Sequence, residues 1–214
     1  MPTTAADQST NPQISPGSPS AKRALRARIR SERRIRPRSP RPVDGEALST
    51  VVLEMPEVQS ARCVALYAST DGEPDTAPLR LALRRAGVRV LLPVPEVAGR
   101  MDWAEDTGEL VPGAGRGGPE PTGPRLGRDG IRAADVVIVP ALAVDTLGHR
   151  LGQGAGFYDR ALPMVATTVP VVALLHEGEL LDAAVEPVPA ESHDVQVDVA
   201  VTPQRCLRLP PRHG

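Results

Sequence analysis

The stretch that decides the fold runs from Ala134 to Leu162 and reads ADVVIVPALAVDTLGHRLGQGAGFYDRAL. Its first part is the most continuous apolar segment of the chain, which predicts a central buried strand that runs into a loop at Pro140. A loop with glycine at every second position follows, and the segment from Phe157 predicts a helix. A strand, a glycine loop and a helix in this order are typical of α/β sheets, in which ligands bind beyond the carboxyl ends of the strands.

The segments on both sides of this stretch complete an α/β pattern. An apolar run at 61–68 predicts a further buried strand, and strands are also predicted at 88–94 and 169–175. A short strand is predicted at 101–105, and an alternating one at 195–202. Further helices are predicted at 18–36, 44–55 and 76–87. The order strand, helix, strand along 61–94 predicts a parallel, right-handed unit. We therefore predict an α/β fold: a single domain with a mainly parallel central sheet and helices on both faces.

The chain has 214 residues, enough for one medium domain. We expect this domain to span 18–205, with Ser18 as the N-cap of its first helix. Residues 1–17 are rich in Ser, Thr and Pro and predict a disordered N-terminal tail, and 206–214 are expected to form a C-terminal tail. The Gly-, Pro- and Arg-rich segment from Gly113 to Gly130 predicts a long surface loop.

Composition argues against several classes of protein. The net charge of −1 gives no overall field that would recruit nucleic acid or a membrane surface. No apolar run approaches the roughly 18 residues of a membrane span, and the N-terminus lacks the apolar stretch of a signal peptide. The two cysteines, Cys63 and Cys206, suggest no disulfide framework, and the four histidines show no metal-ligand spacing with them. We therefore expect a cytoplasmic protein that binds neither nucleic acid nor membrane.

The glycine loop RLGQGAGFYDR, from Arg150 to Arg160, allows two interpretations. Glycines let backbone N–H groups approach phosphate oxygens closely, and the guanidinium of Arg150 suits a phosphate. Alternatively, the loop is only a mobile turn, because closely spaced glycines are common. The pattern matches neither the P-loop nor the usual dinucleotide fingerprint, so the residues alone leave both interpretations open.

A carboxylate follows the loop directly. Asp159 would repel a bound phosphate unless a cation lay between them, and magnesium commonly binds through one or two carboxylates plus substrate phosphates. A second carboxylate would come from Asp194 or Asp198 in ESHDVQVD, and the loop position of Asp194 is the better placed. The alternative is that Asp159 is a solvated acid near the start of a helix, where it favours the helix dipole.

Two further segments carry polar residues that a ligand would use. Lys22 and Arg26 are four residues apart and share a helical face, which predicts either a clamp for polyphosphate or only a solvated basic face. Glu73 follows the predicted strand at 61–68 and would accept hydrogen bonds from a donor-rich ring such as an aminopyrimidine. We expect its neighbour Thr76 to cap the next helix, so that Glu73 is left for another role.

Taken together, these segments resemble a known family. KRALR at 22–26, ALYASTDGEPDT at 65–76, VLLPVPE at 90–96 and VPALAVDTLGHRLGQGAGFYDRAL at 139–162 occur in this order and at these separations. They are similar to 5-formyltetrahydrofolate cyclo-ligase, also called methenyltetrahydrofolate synthetase, from Lys22 to Thr202. The glycine-loop block is the most specific part of the resemblance.

The resemblance implies an ATP- and Mg²⁺-dependent ligase that closes 5-formyltetrahydrofolate to 5,10-methenyltetrahydrofolate and releases ADP and phosphate. It implies that ATP contacts Lys22, Arg23, Arg26, Arg150, Leu151, Gly152, Gln153, Gly154, Ala155, Gly156, Phe157 and Tyr158. It implies that the folate contacts Ala68, Glu73, Gln153, Gly154, Ala155, Gly156 and Phe157, and that Mg²⁺ is held by Asp159 and Asp194.

The implied chemistry needs no protein nucleophile, and the sequence suggests none. Phosphorylation of the formyl oxygen makes a good leaving group, and N10 of the folate then attacks the activated carbon. Phosphoryl transfer depends chiefly on positioning and charge neutralisation. The alternative is a non-catalytic folate- or nucleotide-binding protein of the same fold. In either case the expected partners are 5-formyltetrahydrofolate and ATP, and we expect a monomer.

Overall fold

The computed structural model describes residues 19–36, 41–96, 99–113, 118–191 and 193–212. The helices are α1 (Pro19–Ile35), α2 (Arg41–Leu53), α3 (Pro56–Gln59), α4 (Ala77–Arg85) and α5 (Phe157–Ala161), with 3-10 turns at Arg128–Ala133 and Leu162–Met164. The strands of the first half are β1 (Cys63–Ala65), β2 (Arg89–Pro95), β3 (Met101–Glu105), β4 (Leu110–Val111), β5 (Glu120–Pro121) and β6 (Arg125–Gly127). Those of the second half are β7 (Val136–Pro140), β8 (Ala143–Asp145), β9 (Arg150–Leu151), β10 (Val171–Leu174), β11 (Leu180–Leu181), β12 (Val199–Thr202) and β13 (Arg205–Arg208).

The central sheet has eight strands in the order β13-β12-β10-β7-β1-β2-β3-β6. The five strands β12, β10, β7, β1 and β2 are parallel to one another, whereas β13, β3 and β6 add antiparallel edges. The segment β1, α4, β2 forms the predicted parallel unit. The prediction of a single α/β domain with a mainly parallel sheet is therefore confirmed.

Hydrophobic cores cover both faces of this sheet because successive strand residues point to opposite sides. On one face, Val64 of β1 shares a core with Leu48 of α2 and Leu83 of α4. On the other face, Ala65 shares a core with Leu162, which follows α5. Because the strands are buried on both faces, they read in the sequence as continuous apolar runs rather than alternating ones.

A smaller sheet, β11-β8-β9, supports α1. Leu25 and Ile29 of α1 pack against Leu142 and Leu151 of this layer. Outside that stripe α1 is strongly basic, and many of its arginines bind backbone or carboxylate oxygens of the layer beneath. This packing places the N-terminal half of α1 beside the glycine loop.

Several boundaries differ from the sequence prediction. The helix expected at 44–55 begins at Arg41, and the expected loop from Gly113 to Gly130 contains the strands β5 and β6. The expected C-terminal tail from Cys206 supplies most of β13, which pairs with β12. The tail expected at 1–17 and the expected N-cap Ser18 lie outside the described residues. No helix in the described part of the chain is both long and apolar enough to cross a membrane.

Candidate active site

A cavity of about 350 Å³ opens at the carboxyl ends of β7, β1 and β2, which are neighbours in the sheet. Pro140, Ala68 and Pro95, at or just beyond the ends of these strands, form part of its wall. The glycine loop and the first turns of α1 form the rest, together with a segment around Asp194. The site therefore lies where open α/β sheets generally bind their ligands.

The cavity wall contains every residue predicted for the site except one. These residues are Lys22, Arg26, Ala68, Glu73, Arg150, Leu151, Gly152, Gln153, Gly154, Ala155, Gly156, Phe157, Tyr158, Asp159 and Asp194. The exception is Arg23, which lies on the exposed side of α1. Residues from four separate segments of the chain thus meet around one cavity.

The glycine loop is held from α1 by two arginines. Arg26 donates from Nε to the carbonyl oxygen of Gly152 at 2.9 Å, and Arg30 donates to the carbonyl oxygen of Gln153 at 2.6 Å. Gly154 has a φ of +97°, a region that side chains with a Cβ rarely adopt. These contacts favour a positioned cradle over a mobile turn. Arg30 was missing from the sequence prediction, although its spacing of four residues from Arg26 was a signal.

Arg150 lies beneath this loop with a side chain that is only 4% exposed. Its Nη2 donates to Oδ1 of Asp159 at 2.5 Å, and its guanidinium carbon lies 5.6 Å from the centre of the Tyr158 ring. Burial lowers the pKa of Arg150, and the charge of Asp159 opposes that shift. The Nε of Arg150 is buried without a hydrogen-bond partner, although it belongs to a residue of the cavity wall.

Lys22, another residue of the cavity wall, is shared by two carboxylates. Its Nζ lies 2.7 Å from Oδ2 of Asp194 and 2.8 Å from Oε1 of Glu191. Burial alone would lower the pKa of Lys22, but hydrogen bonds to the two carboxylates leave it raised. Burial would likewise raise the pKa of Asp194, yet the hydrogen bond from Lys22 leaves it lowered. Glu191 was not predicted, because no local pattern distinguishes it from other surface acids.

Asp198, the alternative to Asp194, uses its carboxylate for contacts within the fold. Its Oδ2 accepts the backbone N–H of Val171 at 2.7 Å, and its Oδ1 accepts from Nε of Arg212 at 2.9 Å. It lies at the end of the sheet opposite the cavity, just before β12 begins. Of the two candidates, only Asp194 belongs to the cavity wall.

The carboxylates of the site fit a magnesium ion that takes part of its ligands from a substrate. Asp159 and Asp194 both line the cavity. Among the described residues, no group of three or more His, Cys, Asp or Glu side chains is arranged to hold a metal by itself. One or two carboxylates supplemented by phosphate oxygens is the donor set that Mg²⁺ commonly uses with nucleotides.

The turn after β1 presents Glu73 to the same cavity. Its Oε2 accepts hydrogen bonds from the backbone N–H and the hydroxyl of Thr70, both at 2.9 Å. His176 contacts the carbonyl oxygen of Gly72 through Nε2 at 3.2 Å and ties this turn to the end of β10. The carboxylate of Glu73 is therefore oriented before any ligand binds.

The prediction that Thr76 caps the N-terminus of α4 is wrong. Thr76 occupies the position before the helix, but its hydroxyl donates to the carbonyl oxygen of Tyr67 at 2.7 Å instead of capping. Oδ1 of Asp75 accepts the N–H of Ala77 at 2.9 Å in its place. Thr76 is fully buried, so its hydroxyl needs the one acceptor that lies within reach.

The cavity wall is chemically mixed. Lys22, Arg26 and Arg150 supply positive charge, Glu73 supplies a carboxylate, and Pro95 and Met101 are apolar parts of the wall. Such a cavity can hold a polyanion against a ring system that has hydrogen-bond donors on one edge.

Comparison with known proteins agrees with this arrangement. Residues 18–203 match the 5-formyltetrahydrofolate cyclo-ligase family. A 5-formyltetrahydrofolate cyclo-ligase from Mycolicibacterium smegmatis is 39% identical over 195 residues, which cover 89% of this chain and 97% of the relative. A 5-formyltetrahydrofolate cyclo-ligase from Escherichia coli is 38% identical over 170 residues, which cover 75% and 88%.

Two solved structures have the same fold. The NMR structure of 5,10-methenyltetrahydrofolate synthetase from Aquifex aeolicus superimposes with a TM-score of 0.71 at 28% identity, and the match covers 90% of this chain and 95% of that one. A 5,10-methenyltetrahydrofolate synthetase from Mycoplasma pneumoniae gives a TM-score of 0.66 at 18% identity, which bears on the fold alone. From the family match over 18–203 and the identity to relatives along most of their length, the chain belongs to the 5-formyltetrahydrofolate cyclo-ligase family.

Proposed function

We propose that this chain is an ATP- and Mg²⁺-dependent 5-formyltetrahydrofolate cyclo-ligase, which forms 5,10-methenyltetrahydrofolate, ADP and phosphate. The observation that carries the proposal is one cavity whose wall combines the glycine loop, three cationic side chains, the carboxylate of Glu73 and apolar residues. This arrangement brings the phosphates of a nucleotide and a donor-rich ring within reach of each other. Membership of the family supports the same reaction.

ATP is held by its phosphates at the glycine loop. Lys22, Arg26 and the run from Arg150 to Tyr158 line that part of the cavity and supply backbone N–H groups and positive charge. Arg150 is the strongest candidate for a direct phosphate contact, because its Nε is buried without a partner. Arg23 contributes at most a longer-range charge, since it lies outside the cavity wall.

Mg²⁺ is held by Asp159 and Asp194 together with phosphate oxygens of ATP. When bound, it neutralises charge that develops on the transferred phosphoryl group. In the ligand-free protein the two carboxylates neutralise Arg150 and Lys22 instead. Binding of MgATP exchanges these internal ion pairs for contacts with phosphate and metal, so the site carries no large uncompensated charge in either state.

The folate lies against the apolar part of the cavity wall. Glu73 accepts hydrogen bonds from the amino-substituted ring, Ala68 and Met101 contact its faces, and the run from Gln153 to Phe157 lies between folate and nucleotide, all of them residues that line the cavity. This arrangement directs the formyl oxygen at the γ-phosphate. The chain orients the two substrates. N10 then attacks the formyl carbon and gives up its proton to the departing phosphate, which takes the formyl oxygen with it as the C–O bond breaks.

An assay of turnover distinguishes this proposal from the alternative, a non-catalytic folate- or nucleotide-binding protein of the same fold. Purified protein is mixed with 5-formyltetrahydrofolate and MgATP, and the near-ultraviolet absorption band of the methenyl product is followed. We expect the band to appear only when ATP and Mg²⁺ are both present, and to be lost in Arg150→Met. If calorimetry shows that both ligands bind while no band appears, the binding-protein alternative is correct.

A further inference from the structure

Two buried donor atoms without partners belong to residues that line the cavity. Only four buried side-chain nitrogen or oxygen atoms lack a hydrogen-bond partner in the described part of the chain, and two of them are Nε of Arg150 and the hydroxyl of Tyr158. Both residues line the cavity. Because a buried polar group without a partner is costly, such groups in a cavity wall indicate atoms that a ligand contacts.

Tyr158 is close to two groups that the proposed function assigns to different ligands. Its ring lies against the guanidinium of Arg150, whose Cζ is 5.6 Å from the ring centre. Burial raises the pKa of Tyr158, and the carboxylate of Glu73 is near enough for its charge to raise that pKa further. The next residue along α5 is Asp159. Tyr158 thus lies near both a residue proposed to contact phosphate and a residue proposed to contact the folate.

A tyrosine hydroxyl suits a hydrogen-bond donor in neutral solution. The ordinary pKa of a tyrosine side chain is about 10, so the phenol carries its proton at neutral pH. A neutral donor in a partly dry site forms a stronger hydrogen bond to an oxygen that gains negative charge than it would in water.

We propose that Tyr158 is a catalytic residue whose hydroxyl donates a hydrogen bond to the formyl oxygen of the bound substrate, the oxygen that receives the phosphoryl group. This inference rests on the proposed function and adds a role for one atom. The hydrogen bond holds the formyl oxygen in line with the γ-phosphate. The hydroxyl proton stays on Tyr158, so the stoichiometry of the reaction is unchanged.

The test removes this hydroxyl and keeps the ring. Tyr158→Phe preserves the contact with Arg150, and it removes a group that has no partner in the ligand-free protein. The melting temperature of ligand-free protein should therefore stay unchanged or rise. The kcat for methenyl formation should fall at least tenfold, or the KM for 5-formyltetrahydrofolate should rise by the same factor, while the Kd for MgATP stays within twofold of wild type.

Tyr67→Phe is the matched control for stability. The Tyr67 hydroxyl is buried and lies 3.2 Å from the carbonyl oxygen of Pro74, so its loss leaves that oxygen unsatisfied. This variant should melt at a lower temperature than wild type, whereas Tyr158→Phe should not. Equal destabilisation of the two variants would show that the Tyr158 hydroxyl has a structural partner, and it would overturn the inference.

The outcomes also distinguish this inference from the proposed function. If wild-type protein forms no methenyl product, the proposed function fails. If wild-type protein turns over and folded Tyr158→Phe stays within twofold in both kcat and KM, the role of the hydroxyl is refuted alone. A rise in the Kd for MgATP with unchanged folate kinetics would also refute it, because the hydroxyl would then serve the nucleotide.

Discussion

Gly152→Ala separates a phosphate cradle from a mobile turn most sharply. Unlike Gly154 and Gly156, Gly152 has no positive φ, and a Cβ added there would meet no atom within 4 Å. Alanine is therefore compatible with the ligand-free backbone. Gly152 is also part of the cavity wall, so in a phosphate cradle a methyl group at this position would lie close to the ligand.

The expected magnitudes follow from this geometry. An alanine in place of glycine, at a position whose backbone conformation suits it, reduces the conformational entropy of the unfolded chain. This stabilises the folded protein by about 0.4–1 kcal/mol, so the ligand-free melting temperature should rise slightly or stay the same. A methyl group in the cradle displaces a phosphate oxygen from a backbone N–H. Loss of one hydrogen bond to a charged group costs about 1.5–3 kcal/mol, which weakens MgATP binding by roughly tenfold to a hundredfold.

Calorimetric titration with MgATP and ligand-free thermal unfolding together make the assay. Gly87→Ala is the control, because Gly87 has a φ of +77° and lies after α4, outside the cavity. That variant should lose stability through backbone strain and bind MgATP normally. If folded Gly152→Ala binds MgATP as tightly as wild type, the cradle is refuted and Arg150 and Lys22 remain the main phosphate contacts.

The other predictions concern backbone strain, the metal, a buried ion pair and the N-terminal segment. Gly154→Ala, at a φ of +97°, should both bind MgATP less tightly and melt lower, because strain of this kind costs about 1–3 kcal/mol; normal ATP binding would contradict the proposed contact. Asp159→Asn should lower turnover at least tenfold with the fold intact, and turnover within twofold at saturating Mg²⁺ would remove Asp159 from the metal site. Glu179→Gln leaves Arg33 without its carboxylate where the two side chains are only 4% and 6% exposed, and denaturant unfolding should show a loss of about 3–5 kcal/mol, as for other broken buried pairs; a loss below about 1 kcal/mol would match an exposed pair instead. A chain that begins at Ser18 should keep the melting temperature and activity of the full chain, and a clear drop in either would show that residues 1–17 contribute to the folded protein.

The fold was predictable because its elements have local signals. The buried parallel strands appear as short apolar runs in the sequence. The order of β1, α4 and β2 predicts a right-handed crossover between parallel strands. The edges were less predictable. β13 is short, and two of its residues, Arg205 and Arg208, are exposed arginines, so nothing in its composition marks it as a strand before its pairing with β12 is known.

The site was predictable where one motif carries several residues, and it was not where the contacts join distant parts of the chain. The whole run from Arg150 to Asp159 lines the cavity. The contacts of Lys22 with Glu191 and Asp194, by contrast, join residues about 170 positions apart, and no local spacing indicates them. The orphaned hydroxyl of Tyr158 depends on its surroundings in three dimensions. The expected cytosolic location and monomeric state remain predictions.

The central claim is that ATP phosphorylates the formyl oxygen of the substrate, and following that oxygen into the products tests it most directly. 5-Formyltetrahydrofolate that carries a heavy oxygen isotope in its formyl group is converted with MgATP, and the released phosphate is analysed by mass spectrometry. In the proposed reaction the formyl oxygen is phosphorylated and leaves with the phosphoryl group, so each phosphate should contain one labelled oxygen. Unlabelled phosphate, or label recovered in water, would contradict the proposed activation by ATP in this cavity.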